Sequence, residues 1–185
     1  MVAMLVVLDP LLVLVGVVVW LVSLRAVLTR LAELARADRE GLFARRPLLG
    51  ERYAQRVLCV ALCQGPRCNY LDGRNGVKDF DVWTFYAQHP DGPFPQRRVG
   101  WQDFGPSRFG RMPDDIRPYT GRRVDLIGRS LPEQLDADPV QALRRYLQES
   151  RTTSARALAR KAVILIDPAP LRGITVWPIT ASGRD

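Results

Sequence analysis

Val77-Lys78-Asp79-Phe80-Asp81-Val82-Trp83-Thr84-Phe85-Tyr86 sets two carboxylates, one residue apart, into a β-branched and aromatic run. Such a run predicts a strand. Strand side chains alternate faces, so Asp79 and Asp81 emerge on one side, roughly 6–7 Å apart along the chain. Trp83 and Phe85 continue that face, while Phe80, Val82, Thr84 and Tyr86 form the other. Two anionic groups this close repel unless a cation lies between them, and a divalent metal carrying a phosphorylated substrate is a common occupant. A third carboxylate, Asp125, sits in a second strand-like run, Arg123-Val124-Asp125-Leu126-Ile127, predicted to end at Gly128. The plain alternative is that Asp79 marks a strand start after a turn, and that Asp81 and Asp125 are each paired with one of the chain's many arginines.

Outward from this stretch, Val57 to Cys63 predicts a buried strand or the end of a short helix, closed by Gln64-Gly65-Pro66. Asp72-Gly73 and Asn75-Gly76 mark turns before the carboxylate strand. Gln88 to Gly121 is rich in Gly and Pro and carries Arg97, Arg98, Arg108, Arg111 and Arg117, with a short strand expected around Arg98 to Phe104. A connection this long inside a domain is often functional. Asp138-Pro139 has the chemistry of a helix start, with a helix to about Ser150. Thr153 or Ser154 caps a further predicted helix that buries Ala155, Leu158, Ala162 and Leu165 and stops at Asp167-Pro168. Ile174 to Trp177 reads as an edge strand.

The 185 residues suit one domain with an appendage, and 47% apolar content argues against disorder. A net charge of +8, carried by 27 basic residues of which only Lys78 and Lys161 are lysine, favours anionic partners such as nucleotide, nucleic acid or an anionic membrane. Cys59, Cys63 and Cys68 have no C-x-x-C spacing, and reduced thiols are expected. The single histidine, His89, stands beside Pro90 in a turn-rich stretch, which argues against a zinc site and against Ser-His-Asp or Cys-His catalysis.

Residues 1–24 are apolar apart from Asp9, unbroken from Leu11 to Val22. Three readings stand open: a single-pass anchor holding a cytoplasmic domain, a hydrophobic helix packed on the domain or on another copy, or a start codon assigned too early. Residues 25–50 predict an amphipathic helix and linker, with Arg45-Arg46-Pro47 and Gly50 as a turn. Residues 51–178 form the expected catalytic or binding domain, and 179–185 a tail. The fold class expected is α/β (α+β), a small mixed sheet with helical support.

A buried segment ending in glycine, a strand with Asp-apolar-Asp and a later strand with apolar-Asp-apolar together resemble the nucleotidyltransferase superfamily, the polymerase-beta-like fold of minimal nucleotidyltransferases. The resemblance covers roughly Val57 to Ile127. It implies that Gly65 is the glycine turn and that Asp79, Asp81 and Asp125 are catalytic and bind Mg²⁺ or Mn²⁺. It also implies that Arg67, Arg108 and Arg111 meet the phosphates of a nucleoside triphosphate, whose nucleotidyl group passes to a hydroxyl acceptor. The acceptor, a nucleic acid or a protein among the options, the base preference and the oligomeric state are not implied. The chain departs from the family where Gly65 is followed by Pro66 and Arg67 in place of a small hydroxyl residue, since proline donates no N–H. That departure keeps a second reading in view: a catalytically degenerate module that binds nucleotide, RNA or a protein partner. A metal-dependent nuclease commonly adds a lysine on the strand of the second acid, and Arg122-Arg123-Val124-Asp125 supplies none.

Overall fold

The computed structural model describes residues 10–64, 78–95 and 97–178, with side chains for 24–63, 78–95 and 100–178. Six strands form one mixed sheet: β1 (Val57–Gln64), β2 (Asp79–Ala87), β3 (Arg97–Asp103), β4 (Arg123–Leu131), β5 (Ala162–Asp167) and β6 (Thr175–Trp177). Their order across the sheet is β3-β4-β2-β1-β5-β6. Only β2 and β4 run parallel to each other; the remaining neighbours are antiparallel.

Helices cover both faces. Helix α1 (Pro10–Arg45) is continuous over 36 residues. Its second half buries Val27, Leu28, Leu31, Leu34 and Ala35, the 3–4 spacing of an amphipathic helix, against Val60, Leu62, Phe80, Val82, Val124, Leu126, Ile164 and Ile166. The part read as a helix and linker outside the domain is therefore one wall of its core. On the opposite face, α3 (Pro139–Glu149) and α4 (Thr153–Leu158) pack Ala142, Leu143, Leu147, Ala155 and Leu158 onto Ala61, Cys63, Phe85, Val163 and Leu165. Among the described residues no helix is long and apolar enough to cross a membrane. The side chains of 10–23, on which the anchor expectation rests, lie outside the described residues.

Three boundaries differ from expectation. Gly50 is not in a turn: α2 (Pro47–Tyr53) runs through it, with Pro47 in the first turn and Gly50 closing on the Phe43 side chain. Gly128 does not end β4, because the strand passes under the Phe94 ring. A Cβ there would lie 2.6 Å from Phe94 Cε1, so glycine is what lets strand and ring approach. The predicted helix from Thr153 to Asp167 is a one-and-a-half-turn helix followed by β5. Val163-Ile164-Leu165-Ile166 is buried on both faces between its neighbours, where β-branched side chains pack better in a strand.

The first helix start behaves as read: Asp138 accepts a hydrogen bond from the Gln141 backbone N–H at 2.8 Å and caps α3. The second is displaced, since Thr152, and neither Thr153 nor Ser154, caps α4 by accepting from Ala155 N–H at 3.1 Å. A third cluster, Leu42, Tyr53, Tyr86 and Phe94, closes the corner where α1 and α2 meet the sheet; Tyr86 and Phe94 stack at 4.2 Å.

Candidate functional site

The register of β2 on β4 assembles the site. Asp81 faces Asp125 directly across the parallel pair, and Asp79 faces Arg123. Alternation puts all four side chains on the α3/α4 face, at the end of the sheet those helices leave open, with Trp83 and Phe85 stacked at 6.1 Å further along. Phe80, Val82, Val124 and Leu126 point the other way into the core beneath α1. The three predicted carboxylates are thus neighbours on one partly exposed surface.

Cations already neutralise them in part. Arg123 lies between Asp79 and Asp125: its Nη2 donates to Asp79 Oδ2 at 2.9 Å and to Asp125 Oδ2 at 3.3 Å. Its Nε stands 2.9 Å from Asp125 Oδ1, yet neither atom forms a hydrogen bond and both are buried. That contact is an ion pair by distance whose N–H is not aimed at the oxygen. Lys161, at the threshold of β5, reaches across β1 to pair with Asp81 Oδ2. The pairing half of the plain alternative therefore holds for Asp125, and for Asp81 with a lysine in place of an arginine.

Among the described residues, Arg123 and Lys161 are the cations in contact with the three carboxylates. Burial, with Asp79 and Asp81 adding repulsion, raises the Asp125 carboxyl above its ordinary range against the pull of Arg123. Burial alone would lower the Arg123 guanidinium, and Asp125 and Asp79 more than reverse that. Beneath the Asp81–Lys161 pair, burial lifts the Cys63 thiol well above the ordinary range, with Asp81 adding to the effect. Cys59 is pushed up to about 12 by burial and by Asp167. Both are buried thiols, inert as nucleophiles.

As the side chains stand, no three acidic, thiol or imidazole groups among the described residues are gathered to hold a metal. The donor set nevertheless suits a hard divalent cation: carboxylate oxygens only, one of them, Asp125 Oδ1, buried without a hydrogen bond. Gathering them requires Arg123 to give up its place between Asp79 and Asp125.

A cavity of about 350 Å³ opens beside the carboxylates, with Lys78, Asp79 and Arg123 on the sheet side. Its other wall is Met112, Asp114, Asp115 and Ile116, from the connection between β3 and β4. This connection is an Ω-like loop closed at the neck. Phe104 N–H donates to Arg122 O at 3.0 Å, and Gly121 packs directly on the Gly105 carbonyl, leaving no room for a side chain. Asp103 Oδ1 accepts from Gly105 and Gly121 N–H, both at 2.9 Å, and Oδ2 accepts from Thr120 N–H at 2.6 Å and Oγ1 at 2.8 Å.

The remaining expected site residues separate from this cluster. Arg108 lies over the Phe109 ring and lines a different cavity, beside Ala26, Val27 and Arg30 of α1. Arg111 donates to the Asp115 carbonyl at 2.6 Å and braces the loop. Neither lines the cavity at the carboxylates. Their loop folds its aromatic side chain, Phe109, against the α1 core, and that carries Arg108 away. Gly65 and Arg67, with Cys68, lie outside the described residues. Sequence reading passed over Arg123 and Lys161 as site residues. Position i−2 from Asp125 on a strand was enough to place Arg123 on the carboxylate face, and Lys161 was conspicuous as one of two lysines.

No protein-family model, curated protein or solved structure matches the chain.

Proposed function

We propose that the open end of the sheet is a divalent-metal-dependent nucleotidyltransferase-like site, moving a nucleotidyl group from a nucleoside triphosphate to a hydroxyl acceptor. One observation carries the reading: Asp81 and Asp125 in register on adjacent strands, with Asp79 one pleat away on the same face. The order Asp-apolar-Asp on one strand and apolar-Asp-apolar on its neighbour is also the pattern on which the resemblance to nucleotidyltransferases rests. Asp79, Asp81 and Asp125 would hold Mg²⁺ or Mn²⁺, and the ion would neutralise triphosphate charge and activate the acceptor hydroxyl. Lys78 and Arg123, which line the adjacent cavity, supply positive charge for phosphate oxygens. The loop from Phe104 to Arg122 walls that cavity.

A second reading has a specific observation in its favour: Arg123 and Lys161 already pair the carboxylates, as in a module that binds anionic ligands without catalysis. Calorimetric titration of the full chain with a methylene-bridged nucleoside triphosphate analogue, with and without Mn²⁺, separates the two. Metal-dependent binding that disappears in Asp79→Asn with Asp81→Asn supports the transferase site. Binding indifferent to metal and to the double substitution transfers the conclusion to the module. A fragment lacking α1 is unsuitable, because α1 walls one face of the core.

A further inference from the structure

Resting on that reading, we infer that Arg123 and Lys161 are exchangeable stand-ins for the metal. They hold the three carboxylates until a divalent cation takes the oxygens, and then serve the phosphates the cation carries. Three features point this way. First, all but two of the 27 basic residues are arginine, yet both lysines are at this site, Lys161 on Asp81 and Lys78 in the cavity wall. A lysine ammonium is a compact point charge on a flexible stem and changes partners without breaking a planar fork. Second, Arg123 is split between two carboxylates, and its Nε and Asp125 Oδ1 make no hydrogen bond despite their burial. Its fork onto Asp125 has one bond made, Nη2 to Oδ2 at 3.3 Å, and holds the guanidinium less firmly than a complete bidentate pair. Third, the Arg123 and Lys161 side chains are 34% and 30% exposed, so neither is locked in by packing, and Arg123 already lines the cavity. The departure of the two cations and the arrival of a divalent one leave the charge of the cluster unchanged.

The inference makes metal and lysine competitors. Full-length protein is titrated with Mn²⁺ alone, followed by electron paramagnetic resonance, in wild type, Lys161→Met and Lys161→Arg. Removing the competing charge is expected to tighten Mn²⁺ about tenfold in Lys161→Met. Lys161→Arg keeps the charge and stays near wild type. At saturating Mn²⁺ the sign reverses for the methylene-bridged nucleotide analogue, which Lys161→Met binds about three- to tenfold more weakly. Arg123→Gln, verified as folded by circular dichroism, follows the same two directions and stands in if Lys161→Met does not fold. Mn²⁺ affinity that is unchanged or weaker in the folded variants overturns the inference, because a cation that the metal must displace competes with it. Failure of the nucleotidyltransferase reading appears elsewhere, as wild-type protein that does not bind the analogue at saturating Mn²⁺.

Discussion

Asp103→Asn tests whether the loop that walls the cavity is held by a single side chain. The native carboxylate accepts four hydrogen bonds, two on each oxygen, from Gly105, Thr120 and Gly121. An asparagine does best with its NH₂ toward Thr120, whose hydroxyl can turn to accept from it; the Thr120 N–H bond is lost, and the bonds from Gly105 and Gly121 lose their charge assistance. At about 1–1.5 kcal/mol for the lost bond and about 0.5–0.75 kcal/mol for each of the two weakened ones, the loss is about 2–3 kcal/mol. If the loop opens independently of the core, that free energy appears as about 30- to 150-fold faster amide exchange across residues 105–121, with little change in Tm. If it melts with the sheet, Tm falls by about 4–12 °C. Hydrogen-exchange mass spectrometry run beside calorimetry reads both. Unaltered exchange and unaltered Tm would refute the clamp. The pH dependence has a fixed sign. Burial alone would raise the Asp103 carboxyl, but the bonds from Thr120, Gly105 and Gly121 outweigh it and hold the group below its ordinary value. A depressed folded pKa stabilises fully above the unfolded carboxyl's pKa of about 3.9 and is lost as pH falls through the folded value. Loop protection, corrected for intrinsic exchange, should therefore be flat from neutral pH down to about 5 and fall only in acid.

Two further substitutions probe the frame around the site. Gly128→Ala drives a methyl into the Phe94 ring, itself stacked on Tyr86 and edge-on to Tyr53, and should cost about 1–3 kcal/mol, read as a Tm lower by about 2–12 °C. Asp138→Ala removes the cap on Gln141 N–H and should cost about 1 kcal/mol, measured as a lower midpoint in urea with an unchanged slope; Asp138→Ser should restore most of it.

Much of the fold was legible because local chemistry agreed with tertiary demand. The β2 alternation survives intact, and the Asp138 cap lies where Asp-Pro indicated. The failure at Thr153–Asp167 has a physical cause. Ala155, Leu158, Ala162 and Leu165 fit helical spacing, but a strand buried on both faces has no alternation to betray it. Only the β-branched Val163, Ile164 and Ile166 could have broken the tie. Lys161 N–H closes the preceding turn on Leu158 O at 2.9 Å, and the chain enters β5 directly from there. Gly128 misled for the opposite reason, since a glycine inside a strand can mark close packing as well as an end.

The site was legible as a face and illegible as an assembly. Period-two reading shows that Asp79 and Asp81 share a side, and that Arg123 and Asp125 share a side, but not that β4 lies beside β2 or in what register. The facing of β4 is set from the opposite side of the sheet. Val124 and Leu126 must lie with Phe80 and Val82 under the α1 residues Leu28 and Leu31, and a slip of one residue would turn Asp125 into that apolar layer. The cost of burying an unpaired carboxylate there is far greater than any loss of packing. Helix α1 therefore does more than cover the sheet: by fixing which side chains of β4 face inward, it keeps Arg123 and Asp125 on the same face as Asp79 and Asp81. The charge cluster is in this sense a product of the hydrophobic layer behind it. Lys161 completes it from two strands away, across β1, a juxtaposition that only the strand order β2-β1-β5 could bring about.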